Sequence, residues 1–167
     1  GFSCVQLETA SGFGADLGSS QVVMSSVWTE VGNWETAGAG GRAGLFSLGV
    51  GFDASSGRFT VGADAVFVAS AQVVLEHTSG GAFAMTISID GNTDLYSGMR
   101  TVSEQSSSGT LGLSACGVIQ LMAGEYISTW VRASVVGGSS SSCMLESSSG
   151  FACAEILSPG AAFPAKS

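Results

Sequence analysis

Basic residues are scarce in this chain: five among 167, of which one is lysine. Arg42, Arg58, Arg100, Arg132 and Lys166 stand far apart in sequence. A phosphate backbone is held by clustered cations, so this scatter argues against nucleic acid as a partner and against an anionic membrane surface. Long hydrophobic runs are missing too. The longest, around Ala65 to Leu75, contains Ser70 and Gln72 and is too short to span a bilayer, so no membrane insertion is expected. No charged start followed by an apolar stretch opens the chain, which implies that a signal peptide was removed or lies outside it. There is no C-x-x-C pair, and the single histidine, His77, is near no cysteine, so a zinc site lacks its ligands. No window carries apolar residues at i, i+3, i+4 and i+7 without fitting strict alternation at least as well, so helix is not expected.

What remains is an apolar, weakly charged chain. Hydrophobic residues make up 45% and charged ones 11%, against roughly 25% charged in ordinary globular proteins, and the net charge is −8. The surface must therefore be built from Gly, Ser, Thr and Ala. The apolar content is too high for a disordered chain, and the length suits one domain with its own core. Cys4, Cys116, Cys143 and Cys153 form an even set in a chain nearly without lysine. This points to an oxidising compartment and two disulfides, with three pairings open.

The dominant period is two. From Phe83 to Asp90 the odd positions are large and apolar and the even ones small or polar, the pattern of a strand with one face in a core. Asp90-Gly91-Asn92 then supplies turn chemistry. Leu111, Leu113, Ala115, Ile119 and Leu121 continue an odd apolar face, Met122 to Glu125 reads as a turn, and Tyr126 to Ala133 alternates again. Ala65 to Glu76 is apolar on both faces and is the expected central strand. Gly-rich and Ser-rich breaks, as at Ser79 to Gly81 and Ser106 to Gly109, punctuate the rest. Short strands between regular turn signals predict an all-β sandwich or barrel.

The stretch Phe52-Asp53-Ala54-Ser55-Ser56-Gly57-Arg58-Phe59-Thr60-Val61, followed by Ala65-Val66-Phe67-Val68-Ala69-Ser70, resembles the signature of the globular C1q domain. Val118 to Ser128 is similar to that family's apolar strand, Gly-acid turn and following strand, and Ser149 to Leu157 to its Phe-containing last strand. The run from Ser106 to Leu157 looks closest to the erythroferrone and adipolin branch, with Cys143 at the cysteine before the penultimate strand. The resemblance covers residues 45 to 157. It implies the C1q and tumour necrosis factor fold: a jelly-roll sandwich of about ten antiparallel strands in two five-stranded sheets, with three copies around a threefold axis. The expected organisation is an N-terminal extension at 1–20, which could be a strand or a linkage segment, a jelly-roll domain at 21–158 and a tail at 159–167.

On the strand from Tyr126, the residues Ile127, Thr129, Val131 and Ala133 form the expected core face, leaving Tyr126 and Trp130 on the other. Large exposed aromatics are costly on a monomer and typical of buried interface centres. Tyr126 and Trp130, together with Val66, Val68 and Val74 on the second face of the central strand, are therefore expected at a subunit interface. Catalysis is not expected. No G-x-S-x-G elbow accompanies the many serines, and His77, beside a Gly-Ser turn, reads as an exposed loop residue. Glu30 and Glu35 near Trp28 and Trp34 offer paired carboxylates but read as solvated loop acids. Asp90, Asn92 and Asp94 place oxygens at alternate positions, a weak calcium pattern without the glycine and distant glutamate of an EF-hand loop, so no cofactor is assigned. The functional expectation is a secreted, extracellular, non-enzymatic C1q-like domain that forms homotrimers and acts by binding an extracellular protein, in recognition or signalling. The alternative is a structural protein: a self-assembling matrix, filament or mineral-associated scaffold made from such trimers.

Overall fold

The structure is a computed structural model that describes residues 12–23, 26–36, 46–48, 51–94, 99–135 and 142–157. Among these residues it is all β, with fourteen strand segments and no α-helix. Four long strands carry the alternation read from the sequence: β8 (Ala65–His77), β9 (Gly81–Ile89), β11 (Gly109–Leu121) and β12 (Tyr126–Val135). Around them lie β1 (Gly12–Leu17), β10 (Arg100–Gln105), β14 (Gly150–Leu157) and seven pieces of two or three residues. These are β2 (Gln21–Val22), β3 (Thr29–Glu30), β4 (Trp34–Glu35), β5 (Phe46–Leu48), β6 (Phe52–Asp53), β7 (Arg58–Thr60) and β13 (Cys143–Leu145).

The strands form two antiparallel sheets. The first, of eight strands, runs β2-β13-β8-β14-β1-β4, with β11 pairing β8 and β5 pairing β1. The second, of six, runs β10-β9-β12-β7-β6, with β3 pairing β12. The short pieces raise the strand count above the ten expected, but the architecture is the expected jelly-roll sandwich. β8 is central as anticipated: β11 pairs its whole length on one side, and β14 and β13 share the other.

Alternation accounts for the core. The odd residues of β8, from Ala65 and Phe67 to Val73 and Leu75, are buried and face Phe83, Met85, Ile87 and Ile89 of β9 and Ile127, Val131 and Ala133 of β12. Each buried Phe or Leu contributes about 1.5–3 kcal/mol of transfer free energy, so this interior is what drives the two sheets together. Strand β1 lies in the segment expected as an extension. Its Phe13 is fully buried, stacked on Phe52 with ring centroids 3.9 Å apart and edge-on to Phe151 at 4.8 Å. The remainder of that segment before residue 12, and the tail after 157, lie outside the described residues.

His77 corrects the sequence reading. It is the last residue of β8, 3% exposed, with its ring 4.4 Å from that of Phe83 and its Nδ1 2.9 Å from the Ser79 carbonyl oxygen. It shares the inward parity of Leu75 and Val73, so the sandwich takes it in as a core residue.

Candidate interaction surfaces

Each sheet has an outward face, and the residues expected at a subunit interface divide between them. Val66, Val68 and Val74 point outward from β8 on the first sheet. Tyr126 and Trp130 point outward from β12 on the second, on the opposite side of the molecule. The structure therefore does not bring the five together.

On the first sheet, the register aligns small and apolar side chains into rows across four strands. Gly12, Ala154, Val68 and Val118 form one row, and Gly14, Ala152, Ser70 and Cys116 the next. Neither row contains a charge. Val68 is 40% exposed and its cross-strand partner Val118 65%. Where glycine, alanine, serine and cysteine occupy neighbouring positions the surface sinks, and a depression of ≈ 490 Å³ opens over Gly14, Ser70, Cys116, Gly150 and Ala152, with Asp16 on its wall. Among the described residues β11 pairs only β8, so these rows run out to a sheet edge. There the Thr101 hydroxyl donates a hydrogen bond to the Ser114 carbonyl oxygen from the other sheet.

The outward face of the second sheet has different chemistry. Arg58 donates from Nε and Nη2 to the two carboxylate oxygens of Glu30, at 2.8 and 2.7 Å, and its guanidinium lies 4.6 Å from the Tyr126 ring centroid. The hydrogen bonds to Glu30, reinforced by its negative charge, push the Arg58 guanidinium above its ordinary range. Trp130, half-buried, donates from Nε1 to the Ser128 hydroxyl at 2.9 Å. Trp28 packs against two further guanidiniums, Arg132 at 5.0 Å and Arg100 at 5.2 Å from its ring centroid. Beneath these groups Ala84, Thr86, Ser88 and Ser128 are buried although their parity points them outward. No sequence signal announced this cluster, because Trp28, Arg100 and Arg132 meet only through strand register.

The expectation of two intrachain disulfides is corrected. Any such pairing of four cysteines bonds at least two of Cys116, Cys143 and Cys153 to each other, yet all three are free. Cys143 lies level with His77 and Cys153 with Ala69, eight residues apart along β8, or ~26 Å at the strand rise. A disulfide needs Cα atoms within ~7 Å. Cys116 faces outward and Cys153 into the core, two strands apart, so their side chains cannot meet. Cys4 lies outside the described residues. Burial pushes the Cys143 thiol up to about 11 and the Cys153 thiol up to about 12.

The calcium pattern forms a closed turn. Asp90 and Gly91 both take positive φ, 50° and 73°, and the Asn92 amide donates to the Ile89 carbonyl oxygen at 2.9 Å, the geometry of a type I′ turn. Asp90 Oδ1 accepts from the Tyr126 amide at 3.0 Å and Asn92 Oδ1 from the Asp94 amide at 3.1 Å, so both oxygens are engaged in holding backbone. Of the paired carboxylates, Glu30 is held by Arg58 and Glu35 is exposed.

Comparison with solved structures decides the fold. The crystal structure of murine APRIL at pH 5.0 superposes with a TM-score of 0.60 at 17% identity, over 87% of this chain and 98% of that one. The fold is the tumour necrosis factor-like jelly roll. The structure of Eiger TNF from S. frugiperda agrees, with a TM-score of 0.59 at 12% identity over 97% of this chain and 99% of that one. A TNF-like sandwich therefore carries both surfaces described above. No protein-family model and no curated protein matches the sequence.

Proposed function

We propose that the chain is a secreted, non-enzymatic interaction domain whose copies associate as homotrimers through the uncharged face of the first sheet and which acts by binding another protein. The observation that carries this reading is the exposed Val68–Val118 pair, set among Gly12, Ala154, Ala152 and Ser70 with no charge in either row. Apolar surface of that kind is costly in water and gains by being covered, and the absence of charge removes the desolvation penalty that would oppose close approach.

The position of the patch favours a closed ring. Two contact patches back to back on a flat sandwich stack copies into an open file, whereas closure after three copies needs contact surfaces inclined to one another. The patch on the first sheet reaches the edge strand β11, so edge and face lie at an angle within one continuous surface. Tyr126 and Trp130, on the far side, stand outside such a contact. The TNF-like fold and the C1q-like signature support the same assembly.

Sedimentation velocity tests the proposal. The wild type is expected at three times the chain mass, and Val118→Asp, which places a charge where the patch is most exposed, at the mass of one chain with its β-sheet spectrum intact. A wild type that sediments as a single chain rejects the reading.

A further inference from the structure

We propose that the outward face of the second sheet is a docking surface for an acidic, partly apolar segment of another protein, centred on Trp28, Arg100 and Arg132. This is independent of the trimer reading, because it concerns the opposite side of the sandwich.

All three described basic residues, Arg58, Arg100 and Arg132, lie on this one face of a protein whose net charge is −8. The face contains its own internal comparison. Arg58 is neutralised by Glu30 through two hydrogen bonds. Arg100 and Arg132 are gathered against one indole, and among the described residues neither has a carboxylate partner. Arg100 Nε is moreover buried without an acceptor. Glu104 shares the strand and its outward parity but stands four residues from Arg100, ~13 Å along the strand, and makes no ion pair with it. Two like charges held together by a shared ring repel, and an anion placed between them relieves that repulsion while supplying the missing acceptor. Because a charge is screened over ~8 Å at physiological salt, this local positive centre persists although the molecule as a whole is acidic.

The surroundings select a protein segment as the occupant. Val102, level with Ala84 and through it with Arg132, is 59% exposed on the same face, and Val27, next to Trp28, is 53% exposed. Trp28, whose ring meets both guanidiniums, is itself only half-buried. Tryptophan and arginine ringed by aliphatic contacts are the anchors that dominate protein interfaces, whereas a sulfated polysaccharide uses cations and gains nothing from exposed valines. The carboxylates of the partner meet Arg100 and Arg132, and its apolar side chains cover Val27 and Val102.

A labelled short peptide alternating Glu and Leu, its Gln-for-Glu analogue and a sulfated polysaccharide serve as probes against the intact protein, with binding read by anisotropy and by Trp fluorescence. The acidic peptide is expected to bind, with affinity falling about tenfold or more for its uncharged analogue and for the Arg100→Gln/Arg132→Gln variant. Arg58→Gln, whose charge Glu30 already occupies, should change affinity by less than about twofold, and Val102→Ser should weaken the acidic peptide but not the polysaccharide. Arg132→Lys provides a milder variant that keeps the charge but loses the planar stacking, and it should lie between wild type and the double variant whether or not the latter folds. Absence of peptide binding, equal binding by wild type and Arg132→Lys, or insensitivity to Val102→Ser overturns the proposal. The last result, combined with tight polysaccharide binding, would reassign the face to a glycan.

Discussion

Gly57 is pressed against Trp34: a Cβ built at Gly57 would stand 2.6 Å from the indole Nε1 and closer still to the Val31 carbonyl oxygen. That same Nε1 donates to the same carbonyl oxygen at 2.9 Å, inside the core. The turn between β6 and β7 thus closes over Trp34 only because residue 57 has no side chain, and its φ of 72° is one that glycine adopts freely. Gly57→Ala is expected to lower unfolding free energy by about 2–4 kcal/mol, combining a strained φ with a clash against backbone. Urea denaturation followed by Trp fluorescence measures it. A loss below about 1 kcal/mol would show that the turn opens cheaply and does not anchor Trp34.

The cysteines should separate cleanly in their reactivity. Cys143 and Cys153 are buried, and burial holds both thiols well above their ordinary value, whereas Cys116 is exposed in the depression of the first sheet. Since the thiolate is the reactive form, alkylation of the native protein near neutral pH should modify Cys116 and spare Cys143 and Cys153 until denaturant is added. Peptide mass mapping reads the outcome. Trimerisation through the first sheet adds a further expectation: Cys116 labelling should accelerate in Val118→Asp. Early modification of Cys153 would contradict the core placement of β14.

Asp53 makes acid sensitivity testable at one site. Hydrogen bonds from the Ser55 hydroxyl, then the Ser56 hydroxyl, then the Ser55 amide hold its carboxyl at about 2, below the usual 3.8. A folded value below the unfolded one contributes stability that is complete above 3.8 and is lost as pH falls through 2. A carboxyl titration followed by NMR should place its midpoint near 2, and Asp53→Asn should remove this part of the acid dependence. A midpoint at the ordinary carboxylate value would mean that the serines do not hold the turn in solution.

The parts of the fold that could be read in advance are those written in local alternation. β8 and β11 bury one parity and leave the other outward, and β9 and β12 keep their large apolar residues on one parity, so the core-facing side of each follows from the chain alone. Two further features, a strand the sequence left open and a histidine it placed in a loop, carried the same signal over shorter spans. Phe13, Ala15 and Leu17 alternate in β1, but glycines at 12 and 14 leave little else to mark a strand. His77 simply continues the inward parity of β8, and its polar ring obscured that continuation.

The sequence by itself determined that the chain is a β sandwich and which side of each long strand is buried, because a strand's side chains alternate strictly whatever it pairs with. Only the tertiary structure decided which sheet each strand joins. Pairing is made between residues distant in sequence, and alternation is the same for either sheet. That is why Tyr126 and Val68, both outward by parity, end on opposite faces, why the cysteines cannot form two intrachain bonds, and why Trp28, Arg100 and Arg132 converge on one patch.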